Sequence, residues 1–585
     1  MRKVIQKKVK KRGIALFVTA ALLAGTLAGC GAHKPEEGVG VENAYGNKEE
    51  AASGEPEYET AEEAPAKENA ETGEAPAGAV VEGAAREESA AADEIMQDCA
   101  PVNGGYSWEP EYYAGFNGEE YEKAEENGFF LTAVQPLSTF SADVDTASYA
   151  NVRRMIENGY SLGDINPDAV RAEEFINYFS YDLKLPGRGE KFGVTTEISA
   201  CPWNEAHMLM MVGMKTEEID MSEAPDNNLV FLLDVSGSMS DDNKLPLLQE
   251  SFKELVNGLD ENDKVSIVTY ASGVEVVLRG ARGSEKDKIC QAIDELYAEG
   301  GTNGEDGIQR AYQLAEANFI EGGNNRIILA TDGDLNIGVS EPDELEKLVE
   351  KKRDGGVCLS VLGFGTGNIK DNNMERLADC GNGNYAYIDS LFEAKKVLVE
   401  EMGATLVTVA GDVKLQVEFN PQNVNAYRLI GYENRMLENA DFNDDTRDAG
   451  EIGAGHTVVA LYEIIPTGSR DEISLKYQGK ENSGQKDVLR YGDEFATVKI
   501  RYKEPGEQES KLNSYIVDRG DFTKNPSDDF VFASLAAEFA MILSDSPHKG
   551  SATLEGIMET CAALDFDDEY KEEFYYLVRL MAKRQ

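Results

Sequence analysis

Leu229-Val-Phe-Leu-Leu233-Asp234-Val-Ser236-Gly-Ser238 is the stretch on which the fold turns. Leu229 to Leu233 is an unbroken apolar run, the pattern of a strand covered on both faces. At its carboxyl end, one carboxylate and two hydroxyls follow at alternate positions. Oxygen donors of this kind suit a hard divalent cation such as Mg2+, which takes an octahedron of oxygens and keeps some as water. Two more segments bring donors of the same type. Thr302 lies in a Gly-Gly-Thr-Asn turn, and Asp332 follows a strand expected over Arg326 to Ala330. Open parallel sheets gather their ligand sites at strand carboxyl ends, so the three segments can converge. Alone, an Asp-Ser turn would only cap a helix.

From 228 to about 404 the chain alternates strand and helix patterns. Strands are expected at 228–234, 264–270, 274–278, 325–331, 357–364 and 384–388. A first helix is marked by Leu248, Phe252, Leu255 and Leu259, and others are expected near 285–297, 305–318, 343–354, 372–380 and 390–402. Only Ala271-Ser272-Gly273 separates the second strand from the third, too little for a parallel crossover, so the third is expected as an antiparallel edge.

This stretch resembles the von Willebrand factor A domain and its metal-ion-dependent adhesion site, D-x-S-x-S, then Thr, then Asp after the fourth strand. The resemblance implies a Rossmann-like, mostly parallel six-stranded sheet between helices. It further implies that Ser236, Ser238 and Thr302 ligate Mg2+ (or Mn2+) directly, while Asp234 and Asp332 act through bound water. Neutral direct ligands leave a cation electrophilic, and carboxylates behind them offset its charge. The open position then takes an Asp or Glu carboxylate from a protein partner. In related domains that closure shifts the last helix, here near 390–402.

The amino terminus predicts export. Seven Lys and Arg lie within Met1 to Arg12, followed by an apolar stretch from Ile14 to Leu27, the pattern of a signal peptide. The ending Leu27-Ala28-Gly29-Cys30 resembles a bacterial lipobox, which implies lipidation of Cys30 and anchoring on the extracytoplasmic face of a membrane. The alternative is a transmembrane anchor, but about fourteen residues fall short of the ~20 that a spanning helix needs. The net charge of the whole chain is −52, and cleavage would make it more negative, which disfavours nucleic acid as a partner. Besides Cys30, six cysteines (Cys99, Cys201, Cys290, Cys358, Cys380, Cys561) are scattered without C-x-x-C pairs, and their pairing is open.

Residues 30–105 form an acidic linker rich in Glu, Ala, Gly and Pro, expected to be disordered because it can bury little apolar surface. As a coil it would span roughly 45–50 Å, enough to hold the folded part off a membrane. Aromatic residues return at Tyr106, Trp108, Tyr112 and Tyr113. In the flanking region 106–190, a helix is expected with Asn166 as cap, Pro167 at its first position, and Ala172, Phe175, Ile176 and Phe179 on one face. Residues 192–214 and 411–500 alternate like strands, which predicts one β-sandwich with the A domain inserted between its strands. Helices are expected around 529–545 and 551–582. The runs "STFSADVDTASYANVRR", "VRAEEFINYF", "LIGYENR" and "DFNDDTRDAGEIGAGHTVVALYEI" resemble the flanks of the A domain in one family of bacterial lipoproteins.

Other motifs have plainer explanations. Asp143-Val-Asp145-Thr-Ala147 resembles the D-x-D-x-T loop of haloacid-dehalogenase-like phosphatases, but has Ala147 in place of the Thr and no partner motifs; a helix start accounts for it. Asp332-Gly-Asp334-Leu-Asn336 and Asp441-Phe-Asn443-Asp444-Asp445 begin like calcium loops and lack the Gly and Glu such loops need. Gly363-Phe-Gly365-Thr-Gly367 follows the fifth strand, not the first, so it is a turn near the metal face and not a dinucleotide cradle. His33, His207, His456 and His548 form no catalytic or metal-ligand pattern. The sequence therefore reads as an envelope lipoprotein that binds a partner through a metal and not as an enzyme. An envelope assembly factor and a metal-dependent phosphohydrolase using Asp143 stay open as alternatives.

Overall fold

The computed structural model describes residues 118–584, apart from 124, 143–144, 220–223, 303, 334–341, 368, 402–406, 448 and 474–490. The signal, the linker, the aromatic start at 106–113, Cys30, Cys99, His33, Asp143, Asp334 and Asn336 lie outside these residues.

Three sheets organise the described chain. The A domain holds six strands: Tyr385–Ile388, Cys358–Phe364, Asn324–Thr331, Asn227–Asp234, Lys264–Tyr270 and Val274–Arg282, in that spatial order. All pairings are parallel except the last, the expected antiparallel edge, which runs to Arg282 instead of stopping at 278. Asn227–Asp234 lies between Lys264–Tyr270 and Asn324–Thr331 and is buried from Asn228 onward, which explains its continuous apolar run. The chain leaves this strand to one side and later returns on its other side, so the strand order reverses at its carboxyl end, where a crevice forms.

The other two sheets face each other as a sandwich. Phe130–Leu131, Val424–Ile430, Thr457–Pro466, Met208–Thr216 and Phe192–Ala200 form one. The other contains Ile452–Gly453, Thr408–Phe419, Glu494–Lys503 and Ser510–Asp518, with Leu137–Ser141 also paired to Thr408–Phe419. Met210, Val212 and Met214 from the first meet Val413, Leu415, Val417 and Val498 from the second in one apolar core. Met208–Thr216 pairs antiparallel with Thr457–Pro466, so strands from both sides of the A domain in sequence share a sheet.

A separate helical core lies on the outer face of the first sheet. Asp528–Leu543 is buried along nearly its whole length because Phe175, Phe179, Leu209 and Phe574 pack around it. Two helix expectations in the flanking regions need correction. Asn166 does cap a turn through its side chain, but the turn is the short 3-10 helix Pro167–Ala169; Val170 and Arg171 are extended before Ala172–Asn177 begins. Arg171 there reaches Glu174, Asp371 and Glu375, and those ion pairs favour the extended break over a continuous helix. The expected 551–582 helix is two, Leu554–Cys561 and Glu569–Ala582, with Asp568 capping the second at the Tyr570 and Lys571 N–H groups. The five described cysteines are all free, and Cys358 is half-buried at the start of its strand. No helix among the described residues is long and apolar enough to cross a membrane.

Buried carboxylates mark the seam between flank and sandwich. Burial, with the negative charge of Glu433 beside it, pushes the Glu173 carboxyl up to about 7. Its Oε2 has no hydrogen-bond partner and packs against Gly431, whose φ of +76° allows that approach. A carboxyl raised in the folded state holds its proton there at pH values where the unfolded chain has released it. Its stabilising contribution is full below about 4.5 and lost as pH rises through about 7. Glu173→Gln is therefore expected to melt higher than the parent at pH 8, with the gap closing towards pH 4.5. Paired melts across that range check it; a constant gap contradicts it.

Candidate metal centre

The predicted donors stand at different depths around the end of Asn227–Asp234. Asp234 and Asp332 are fully buried, Ser236 is buried, Thr302 is half-buried and Ser238 is exposed. Asp234 accepts the Ser236 backbone N–H at 2.8 Å and the Thr331 hydroxyl at 3.3 Å. Those contacts fix the carboxylate behind the loop, while Ser236 Oγ and Ser238 Oγ stand 3.0 Å apart. Adjacent oxygens of an octahedron with metal–oxygen bonds of about 2.1 Å are about 3.0 Å apart. The two hydroxyls thus have the spacing of one octahedral edge, and the donor set fits Mg2+.

The Thr302 loop is tied to the same end of the sheet. Glu299 donates its N–H to Val235 O at 2.8 Å, Gly300 O accepts from Gly237 at 3.0 Å, and Gly301 donates to Ser272 Oγ at 2.8 Å. Gly300 has a φ of +80° and approaches the Ser272 hydroxyl, a conformation that favours glycine. Asp332 comes from the neighbouring strand, whose register places Ala330 beside Leu233. No group of three or more His, Cys, Asp or Glu among the described residues could hold a metal. The candidate centre is built on hydroxyls with two carboxylates.

Burial, the largest cause, pushes the Asp234 carboxyl up to about 6 despite its hydrogen bonds to Ser236. Asp332 instead meets the buried Lys244 ammonium at 2.9 Å. Sequence reasoning missed Lys244. The signal available was a lysine directly before the helix Leu245–Asn257, where the positive end of the helix dipole disfavours a cation. Gly365, at φ +75°, lies against the Lys244 side chain, and a Cβ there would come within 2.4 Å of it. The glycine-rich turn thus gives room to the lysine that pairs with Asp332, and Tyr387 OH holds Gly365 O from behind.

The other motifs are accounted for locally. Asp145 is buried, accepts the Tyr385 N–H at 2.9 Å and pairs with Arg435 at 2.8 Å. In the Asp441–Asp445 turn, Lys414 Nζ occupies the carbonyls of Asp441 and Asp444, and Asp445 takes Arg501 and Ser510. His207 pairs with Glu463 inside the flank, and His207 and His548 both stand edge-on to Phe129, with ring centroids 5.5 and 5.8 Å from it.

A six-stranded sheet with these oxygen donors at its topological reversal defines a von Willebrand factor A-type domain, and the von Willebrand factor type A domain model matches residues 228–401. The model described as von Willebrand factor matches 115–211, and that described as "Uncharacterized protein YfbK, C-terminal" matches 404–583. "Uncharacterized protein YfbK" of Escherichia coli (strain K12) is 42% identical over 470 residues, covering 79% of this chain and 80% of that protein. The chain belongs to this family of A-domain proteins with a YfbK-type C-terminal domain. "Uncharacterized protein sll0103" of Synechocystis sp. is 28% identical, over 34% of this chain and 45% of its own. The solved von Willebrand factor type A protein from Catenulispora acidiphila is 15% identical, with a TM-score of 0.37, over 68% of this chain and 91% of its own.

Proposed function

We propose that this is a cell-envelope lipoprotein whose A domain binds a protein partner through Mg2+. Ser236, Ser238 and Thr302 would hold the ion, with Asp234 and Asp332 behind them, and an Asp or Glu side chain of the partner would take the open position. Charge supports this choice of ligand. Two carboxylates against Lys244 and a divalent ion leave one positive charge, which one incoming carboxylate neutralises. The observation that carries the reading is the 3.0 Å spacing of the two serine hydroxyls in front of a buried, anchored Asp234. Exposure of Ser238 and half-exposure of Thr302 leave the outer face of the site accessible to another protein.

The basic start, apolar stretch and Cys30 support lipid anchoring on the extracytoplasmic side, with the acidic linker as tether. Engagement of Asp145 by Arg435 and the Tyr385 N–H works against its use as a general acid, so the adhesive reading is preferred to the phosphohydrolase one. Crosslinking pull-downs from the native envelope test the proposal. Partners are expected to be captured with Mg2+, and lost both with EDTA and in Ser236→Ala. Capture indifferent to both treatments contradicts it. An envelope complex from the same cell among the captured proteins would favour an assembly role over attachment to external surfaces.

A further inference from the structure

At the opposite end of the A-domain sheet from the metal centre, a cavity of about 270 Å3 opens between the domain and the β-sandwich. Arg326 lines it from the beginning of the strand Asn324–Thr331, five residues before Thr331 and so about 17 Å away along the strand. Its side chain is 3% exposed, yet it forms no ion pair among the described residues. The guanidinium has one acceptor, Ser360 Oγ at 2.6 Å, and its buried Nε has none. A buried guanidinium without a counter-charge is costly, and pairing with a carboxylate is the usual remedy.

The other charges around the cavity are already engaged or lie at its rim. Arg435 pairs with Asp145, Glu375 and Asp379, Arg353 pairs with Asp354, and Glu451 accepts from Asn382. Glu350 is exposed and forms no ion pair with Arg326. One further group is unsatisfied: Asp379 Oδ1, a buried acceptor in the same lining without a hydrogen-bond partner. Arg326 and Asp379, each with one unpartnered buried polar atom, thus line one space, several times the roughly 30 Å3 that a water occupies.

The geometry points to a binding site for a small organic acid that also carries a hydrogen-bond donor, an amino acid or a hydroxy acid. Its carboxylate pairs with Arg326 along the Nε–Nη2 edge of the guanidinium, away from the Ser360 contact, and its ammonium or hydroxyl donates to Asp379 Oδ1. The ligand then sits at the seam between A domain and sandwich and steadies their junction. The site is independent of the metal.

The test is calorimetric titration of the folded protein with L-serine, L-glutamate, L-lactate and citrate, with acetate and inorganic phosphate as comparators and EDTA present throughout. At least one of the first four is expected to bind with Kd of about 1 mM or tighter and to raise the melting temperature by mass action. Ser236→Ala is expected to bind it equally well, and Arg326→Gln at least about tenfold more weakly. The wild-type melting shift stands on its own if that variant folds poorly. No binding by any of the four at about 10 mM overturns the proposal. So does equal binding by folded Arg326→Gln, or phosphate binding as tightly as the best acid.

Discussion

Replacing Asp234 with alanine is expected to weaken Mg2+ binding by about 10–100-fold, the range found for partners that act on a metal from behind its ligands, while the domain stays folded. The reason lies in what the carboxylate does. It holds the Ser236 N–H at 2.8 Å and so sets the loop on which the two hydroxyls stand 3.0 Å apart. It also supplies half of the negative charge that balances the ion. Without metal, the same carboxylate is a burden, since burial pushes it up to about 6 and it is ionised at neutral pH against that bias. Its loss therefore weakens metal binding and leaves the melting temperature of the metal-free protein nearly unchanged. Calorimetric Mg2+ titration and metal-free melts together check this. Retained affinity, or a domain that no longer folds, contradicts it.

The largest effect on stability is expected at Arg153, which joins three parts of the chain. Its guanidinium contacts Asp389 at 2.5 and 2.7 Å, Glu393 at 2.7 Å, Tyr178 OH at 2.8 Å and Glu573 at 3.3 Å. Asp389 and Glu393 belong to the end of the A domain, and Glu573 to the last helix of the chain. The buried Asp389 and Glu393 share this one guanidinium. Arg153→Met is therefore expected to cost about 3–5 kcal/mol, the usual range for breaking a buried ion pair from one side. Burial already pushes Glu573 up to about 7, against the lowering by Arg153. Removing the arginine raises these carboxyls further, so their protonation relieves the damage at low pH. The variant is expected to melt several degrees lower at pH 8 and to lose less at pH 5. A melting temperature equal to that of the parent at pH 8 contradicts the account.

The A domain was legible in the sequence because its signals are local. A run such as Leu229–Leu233 fits a strand covered on both faces, and the short Ala271–Gly273 link forces an antiparallel edge. Helix ends were less legible where long-range charge decides them. Nothing in residues 160–180 alone says that Arg171 will be drawn out to Asp371 and Glu375, two hundred residues on, and that the helix will break there. The last A-domain helix is similar. Expected over 390–402, it is α-helical only over Leu391–Lys395 and continues as the π-helical turn Lys396–Glu400. There Lys396 lies over the Tyr178 and Tyr570 rings, and Glu400 accepts the Tyr570 hydroxyl. Those partners come from both flanks, so the local pattern could not announce the wider turn.

At the candidate site, the five residues proposed as donors stand out in the sequence as motif positions, and Lys244 does not. The donors recur at spacings tied to strand ends, whereas Lys244 has meaning only once the strand order brings Asp332 beside it. Arg326 shows the same limit: in sequence it is one polar residue at a strand start, and only the cavity reveals its unanswered charge.

In the proposed function, Ser236, Ser238 and Thr302 hold one divalent ion with a position left for a carboxylate. Crystals grown with Mn2+ and an acidic peptide, measured for anomalous scattering at the manganese edge, test this most directly. One strong peak is expected about 2.2 Å from Ser236 Oγ and Ser238 Oγ, in line with six-coordinate oxygen sites, with a peptide carboxylate oxygen as a further ligand. A peak elsewhere, or none at these hydroxyls with Mn2+ in excess, would contradict it.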